Sequence, residues 1–303
     1  MKKLIKISKI LLVIIIIGFI AIKIFDPLPK VIRYVVTKEV LDYNIEKEKV
    51  FKVENIFVKS DEYQIPIRIY KPSDLSNLPV VYYIHGGAFM SGKIDDNDNI
   101  CSFLTNNLNA IIVSVDYRKA PENKFPVGLN DTQEVLNWIH NNIQDFGGDN
   151  SKIVLMGHSS GANFVVSLCQ NNKKSPLSTS IMAQVLINPV LDFRESHLGY
   201  KDFKILFDMY LSDKKDSVNP LVSPLLAKEF SNLPTGIIMI SENDCYKTDG
   251  VKYHSELKKN GIESNLYEIK NLGHLTGNWS STSDETKEAR DYLIKEVNNL
   301  LYE

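Results

Sequence analysis

The chain is short of the residues that build disulfide frameworks and metal centres. It has three cysteines in 303 residues, Cys101, Cys169 and Cys245. They form an odd, scattered set with no CxxC pair and no metal-type Cys/His spacing. That excludes a disulfide scaffold and predicts small buried side chains instead. An excess of charge is missing as well. Lys and Arg number 35 against 37 Asp and Glu, a net charge of −2, so the sequence offers no electrostatic footprint for nucleic acid or another polyanion. Repeats and low-complexity tracts are absent beyond the first 30 residues. What remains, 44% hydrophobic and 24% charged, is ordinary globular composition.

The first 29 residues depart from it. Lys2, Lys3, Lys6 and Lys9 precede an uncharged run from Ile10 to Ile22, and Asp26-Pro27-Leu28-Pro29 ends the segment. A helix over the run alone spans only about 20 Å, short of a hydrocarbon core of about 30 Å. From Leu4 to Phe25 the length suffices, with Lys6, Lys9 and Lys23 near enough to the ends to snorkel. Ile22-Lys23-Ile24-Phe25 is a poor cleavage site. The reading is therefore an uncleaved membrane anchor over residues 1–29, with a cleaved signal and secretion as the alternative. The lysines before the run place the N-terminus in the cytoplasm and the main domain, residues 30–303, outside.

Two β-like stretches, Val50 to Val58 and Tyr63 to Tyr70, predict an antiparallel hairpin at a sheet edge. Beyond them short apolar runs alternate with helical patterns. The runs are Val80 to Ile84, Ala110 to Val115, Lys152 to Met156, Met182 to Ile187, Ile237 to Ser241 and Leu266 to Ile269. Apolar on both faces, they read as buried parallel strands. Helices are expected at Ile94 to Leu108, Leu129 to Ile143, Gly161 to Gln170, Tyr246 to Lys259 and Asp284 to Leu301, with Asn260-Gly261 as a C-cap. The class is α/β with a mostly parallel sheet. About 50 residues between the runs at 182–187 and 237–241 break the rhythm and are rich in aromatics. They predict a helical cap over roughly 190–232, to which 30–49 adds a further element.

Gly157-His158-Ser159-Ser160-Gly161 joins a predicted strand to a predicted helix. A G-x-S-x-G in that context is a nucleophile elbow. Its turn lifts the serine Oγ above the sheet edge, and its glycines admit the neighbouring backbone. The following helix aims its N-terminal amides at the place where negative charge develops. A serine hydroxyl needs a base, and the base an orienting acid; with an elbow of the α/β-hydrolase kind the chain order is Ser, acid, His. His85 and His158 precede Ser159, His140 and His254 fall in helices as solvated or partly packed groups, and His197 falls in the cap. His274, just past the last strand, is the base. For the acid, Asp244 lies just past the end of the strand at 237–241, with Asp249, inside the next helix, and Glu242 as alternatives. His85-Gly86-Gly87-Ala88 follows a strand directly. Gly87 and Ala88, with Ser160, are placed to donate amides to an oxyanion, and Gly86 to permit the turn.

Together these stretches resemble the hormone-sensitive-lipase-like group of α/β-hydrolases, which includes acetyl esterases and arylacetamide-deacetylase-type enzymes. The resemblance covers roughly residues 50–300. It rests on the elbow, on His85-Gly86-Gly87-Ala88-Phe89, on Asp116-Tyr117-Arg118-Lys119-Ala120-Pro121-Glu122 with Phe125-Pro126, and on Asn219-Pro220-Leu221-Val222-Ser223-Pro224. It implies the α/β-hydrolase fold and a structural role for the 116–122 stretch. Two positions depart from the pattern: Ala88 replaces a third glycine, and His158 stands where an acidic residue is frequent. The expectation is a serine hydrolase of short to medium acyl esters with the catalytic set Ser159, Asp244 and His274, acting without cofactor or metal. The alternatives are an acyltransferase or amidase using the same acyl-enzyme and, from another class, a non-catalytic ligand-binding protein.

Overall fold

The computed structural model describes residues 30–31, 45–60, 63–175, 177, 180–274 and 282–302. The segment read as a membrane anchor and much of the 30–49 element lie outside them. Among the described residues no helix is long and apolar enough to cross a membrane.

Eight strands form one sheet: β1 (Lys52–Ser60), β2 (Tyr63–Lys71), β3 (Leu78–Ile84), β4 (Ile111–Val115), β5 (Gly148–His158), β6 (Ile181–Ile187), β7 (Thr235–Ser241) and β8 (Ser264–Ile269). Their spatial order is β1-β2-β4-β3-β5-β6-β7-β8. The expected hairpin is present at the edge, with Ser60 opposite Tyr63 and Lys52 opposite Lys71. β2 runs antiparallel to β4, and every pairing from β4 onward is parallel. β5 reaches beyond its predicted ends because Gly148 pairs with Leu78 before the register shifts.

The doubly apolar strands pack helices on both faces. Val80, Tyr82 and Ile84 face one core layer and Val81 and Tyr83 the other, as a period of two requires. The first layer takes residues of helices α2 (Val127–Asn142), α3 (Ser160–Asn172) and α5 (Lys247–Lys259), among them Leu136, Phe164 and Leu257. The second takes α1 (Asp98–Leu108) and α6 (Asp284–Tyr302), through Leu104, Leu108, Leu293 and Val297. α1 stops at Asn109, whose φ of 44° suits an asparagine C-cap. At the end of α5, Asn260 donates to Glu256 and Gly261 to Lys258, the C-cap expected there. Cys101 and Cys169 are buried, whereas Cys245 keeps part of its surface.

Between β6 and β7, the stretch read as a cap carries helix α4 (Tyr200–Tyr210) and two 3-10 turns. The carboxyl end of β6 links its neighbours. The Ile187 carbonyl accepts from the Ser159 amide (2.8 Å), the Asn188 amide donates to Met239 (2.8 Å), and the Asn188 side chain accepts from the Ser241 amide (2.8 Å).

Candidate active site

β5 and α3 meet at Ser159, which sits at φ 53°, ψ −116°. That backbone is costly for a non-glycine residue and persists only when its surroundings impose it. Here two close approaches impose it. A Cβ on Gly157 would lie 2.4 Å from the Gly161 carbonyl, and one on Gly161 would lie 2.0 Å from the Ile84 carbonyl. Only glycine permits strand, turn and helix to pass at those distances, which explains the spacing of the motif.

Loops at the carboxyl ends of β7 and β8 bring the other two groups. Ser159 Oγ is 2.8 Å from His274 Nε2, and His274 Nδ1 is 2.8 Å from Asp244 Oδ2. A carboxylate only accepts, so Asp244 holds the Nδ1–H tautomer and leaves the Nε2 lone pair facing the hydroxyl. Asp244 Oδ1 accepts from the Tyr246 amide at 2.8 Å, which fixes the carboxylate plane. The two loops are stitched together: Glu242 donates its amide to Ile269, Asn243 donates to Leu272, and the Asn271 amide donates to Glu242 Oε2. Glu242 thus holds the histidine loop rather than the imidazole.

Asp249, the alternative acid inside the helix, does not pair with His274. It is buried in the first turn of α5, where Oδ2 accepts from the amides of Leu191 (2.7 Å) and Asp192 (3.1 Å). Its Oδ1 lies 2.7 Å from His197 Nε2. Burial raises its pKa and the contact with His197 opposes that rise. Spacing along the chain offered no signal for this pair, because the fold brings His197 from 52 residues away. The helix histidines are partly packed as expected: His140 Nδ1 lies 3.3 Å from Ser180 Oγ, and His254 Nδ1 lies 2.9 Å from Ser264 Oγ.

The loop after β3 turns sharply, with φ of 126° at Gly87, 53° at Ala88 and 63° at Phe89. The Gly87 carbonyl is taken by the amides of Met90 (3.0 Å) and Ser91 (2.9 Å), whereas among the described residues no backbone carbonyl accepts from the Gly87 or Ala88 amide. Ala88 still presents an N–H, but in the left-handed region, at a cost of about 1–2 kcal/mol relative to glycine's freedom there. The sign of that requirement in the sequence is the third glycine of the family pattern, which Ala88 replaces. Gly86 lies against the elbow, where a Cβ would meet the His158 carbonyl at 2.9 Å and Ser159 Cβ at 3.4 Å. The 116–122 stretch braces this loop from behind. Ala120 donates to Phe89, Tyr117 Oη donates to His85, and the His85 ring stacks on Tyr117 at 4.5 Å. Arg118 in turn grips the buried Asp131 through a bidentate pair. Aromatic rings surround the site. Phe203 and Tyr246 stand edge-on to His274, at 5.6 and 6.1 Å, and Phe89 stacks on Tyr210 at 3.8 Å.

Two further histidines, His85 buried and His158 half-buried, favour their neutral forms here. Burial, reinforced by the charge of Lys119, lowers His85 from 6.5 to about 4. Burial, reinforced by His274, lowers His158 to about 3. The Nε2 atoms of both lack a hydrogen-bond partner among the described residues. Well above pH 6.5 both rings are neutral in the folded and unfolded chains and contribute no pH dependence. Below it the unfolded chain takes up two protons that the folded protein refuses until its own lower values are reached. Stability is therefore expected to fall with pH, by roughly 2 kcal/mol per unit near pH 5. Urea unfolding between pH 7.5 and 5 checks this, and a midpoint constant across that range contradicts it.

Residues 81–277 match a family model described as the alpha/beta hydrolase fold. The chain is 31% identical over 274 residues to an arylesterase of Saccharolobus solfataricus, covering 86% of this chain and 88% of that protein. It is also 31% identical over 216 residues to the carboxylesterase NlhH of Mycobacterium tuberculosis, covering 67% and 68%. Among solved structures, a thermostable carboxylesterase cloned from a metagenomic library superposes with a TM-score of 0.84 at 26% identity, covering 91% of this chain and 98% of that one. An esterase of Pyrobaculum calidifontis superposes at 0.82 and 29% identity, over 90% and 91%. These relatives and structural neighbours are esterases by name, and the chain belongs with them to the hormone-sensitive-lipase-like group of the α/β-hydrolase fold family.

Proposed function

We propose that the protein hydrolyses carboxylic esters through Ser159, His274 and Asp244. The observation that carries this reading is the unbroken line of hydrogen bonds from Ser159 Oγ through both ring nitrogens of His274 to Asp244, 2.8 Å at each step. Ser159 Oγ attacks the acyl carbonyl while His274 Nε2 takes its proton. Asp244 stabilises the imidazolium that forms. The amides of Gly87, Ala88 and Ser160 receive the oxyanion, with Gly86 allowing their approach, and each such donor is worth roughly 3 kcal/mol of barrier. His274 then returns the proton to the departing alcohol. Water, deprotonated by the same nitrogen, releases the acid and restores the serine. The segment 190–232 acts as the cap, and its ring Phe203 forms the apolar wall beside the base. A relative named ethyl acetate hydrolase supports a small acyl group. The lysine-flanked run Ile10 to Ile22 supports anchoring with the hydrolase domain outside the cytoplasm.

A membrane-impermeant fluorophosphonate applied to intact cells tests chemistry and location together. Mass spectrometry is expected to find the adduct on Ser159 in both cells and lysate. A lysate in which Ser159 stays unlabelled rejects the nucleophile, whereas labelling in lysate alone rejects the external location. Product analysis with added alcohol separates hydrolysis from acyl transfer, since water is expected to be the acceptor.

A further inference from the structure

Beside the triad lies a second buried acid–imidazole pair that does not touch Ser159. Its geometry is fully specified. The Gly199 amide donates to His197 Nδ1 at 3.0 Å, so Nδ1 is the acceptor and the proton sits on Nε2, which donates to Asp249 at 2.7 Å. Two hydrogen bonds thus fix the ring's plane and its tautomer. That plane lies flat on Tyr246, with centroids 4.7 Å apart and 4° between the rings.

Tyr246 connects this pair to the reacting groups. Its amide donates to Asp244 Oδ1, and its carbonyl accepts from the Asp249 amide at 2.9 Å. Its ring stands edge-on to His274 at 6.1 Å and to Phe203 at 5.2 Å. Gly199 closes the remaining side: a Cβ there would come within 2.8 Å of two ring carbons of Tyr246. Main chain and ring are therefore both clamped, the first by Asp249 and the second by His197 and Gly199. The clamp spans two parts of the chain, since His197 and Gly199 come from between β6 and β7 while Asp249 belongs to α5.

We propose that His197 and Asp249 form a positioning dyad that acts through Tyr246 to hold Asp244 and His274 in line with Ser159. This rests on the hydrolytic reading above. Neither residue meets the substrate. A displacement of Tyr246 shifts the amide that orients Asp244 and opens the wall behind His274, and small displacements at a reacting centre are costly in rate.

The test is the second-order rate constant for inactivation by diethyl p-nitrophenyl phosphate. In that reaction Ser159 Oγ bonds to phosphorus, p-nitrophenolate leaves with the electron pair of the broken P–O bond, and the serine proton passes to His274. The constant comes from the decay of surviving activity, so it is blind to how much protein has folded. A merely structural role would leave it unmoved. His197→Phe keeps the stack but loses the donor to Asp249, and it is expected to slow inactivation about tenfold or more. Gly199→Ala, which leaves the dyad's own groups in place but presses on the Tyr246 ring, is expected to slow it several-fold. His197→Gln restores an N–H donor toward Asp249 and is expected to recover to within about threefold of the unaltered protein. Constants for His197→Phe and Gly199→Ala equal to the unaltered one overturn the dyad, as does a glutamine variant no faster than the phenylalanine variant. Should His197→Phe fail to fold, Gly199→Ala decides alone. An unaltered protein that resists phosphorylation at Ser159 overturns the hydrolytic reading itself, an outcome distinct from the others.

Discussion

Ser159→Ala is expected to lower kcat on p-nitrophenyl acetate about 10⁶-fold, with KM changed little. Oγ is the only atom removed, and it is the atom that forms the acyl bond. The elbow survives its loss, because the φ of 53° at this position is imposed by the close approaches at Gly157 and Gly161 and not by the hydroxyl. Melting temperature should therefore stay near that of the unaltered protein. Triad members act as a unit, so adding His274→Ala to Ser159→Ala should cost nothing further, and the residual rate over water reports the oxyanion amides and binding alone. Steady-state kinetics on the single and double variants is the check. Turnover by Ser159→Ala within a hundredfold of the unaltered enzyme removes this serine from the mechanism.

Asp244→Asn is expected to cost about 10⁴-fold in kcat. The change is isosteric, and the Tyr246 amide can still donate to the side-chain oxygen that lies 2.8 Å from it. The other terminus becomes an NH₂ group facing His274 Nδ1, where Asp244 Oδ2 now accepts. That turns Nδ1 into an acceptor and moves the ring proton to Nε2. Nε2 then has no lone pair with which to take the serine proton. Glu242→Gln is the control: its oxygen can keep the bond from the Asn271 amide, and kcat is expected to remain within about threefold. Equal losses from the two substitutions, measured on one ester, contradict the assignment of the acid.

The two results draw on different parts of what the chain encodes locally. The elbow, the glycine pair and the order Ser, Asp, His were readable because each is a short motif at a strand's carboxyl end, and alternating apolar runs mark those ends. Strand positions came within a few residues for the same reason, and Asn260-Gly261 announced the end of its helix. Strand order was not readable. Nothing in the residues of β2 says that it pairs antiparallel with β4 while β3 inserts on the far side. The left-handed backbone at Ala88 was signalled only by the glycine that the family pattern has there, since alanine itself is a poor indicator of positive φ. Asp249 read only as an alternative acid inside the next helix. Only the folded path of the 188–234 stretch turns it into the buried partner of His197.

The carboxyl end of β6 supplies no reacting group, yet the Ile187 carbonyl is bonded to the Ser159 amide and Asn188 to β7 on the other side. The strands that carry nucleophile and acid, β5 and β7, are therefore separated by two rungs of a hydrogen-bonded ladder, about 9–10 Å. Ladder pitch is set by backbone geometry and hardly varies, whereas the spacing between sheet and helices follows side-chain volume. The span that the imidazole must bridge is thus insulated from drift in the two core layers. Substitutions that thicken or thin those layers move the helices outward or inward, along the direction in which the triad has least to lose.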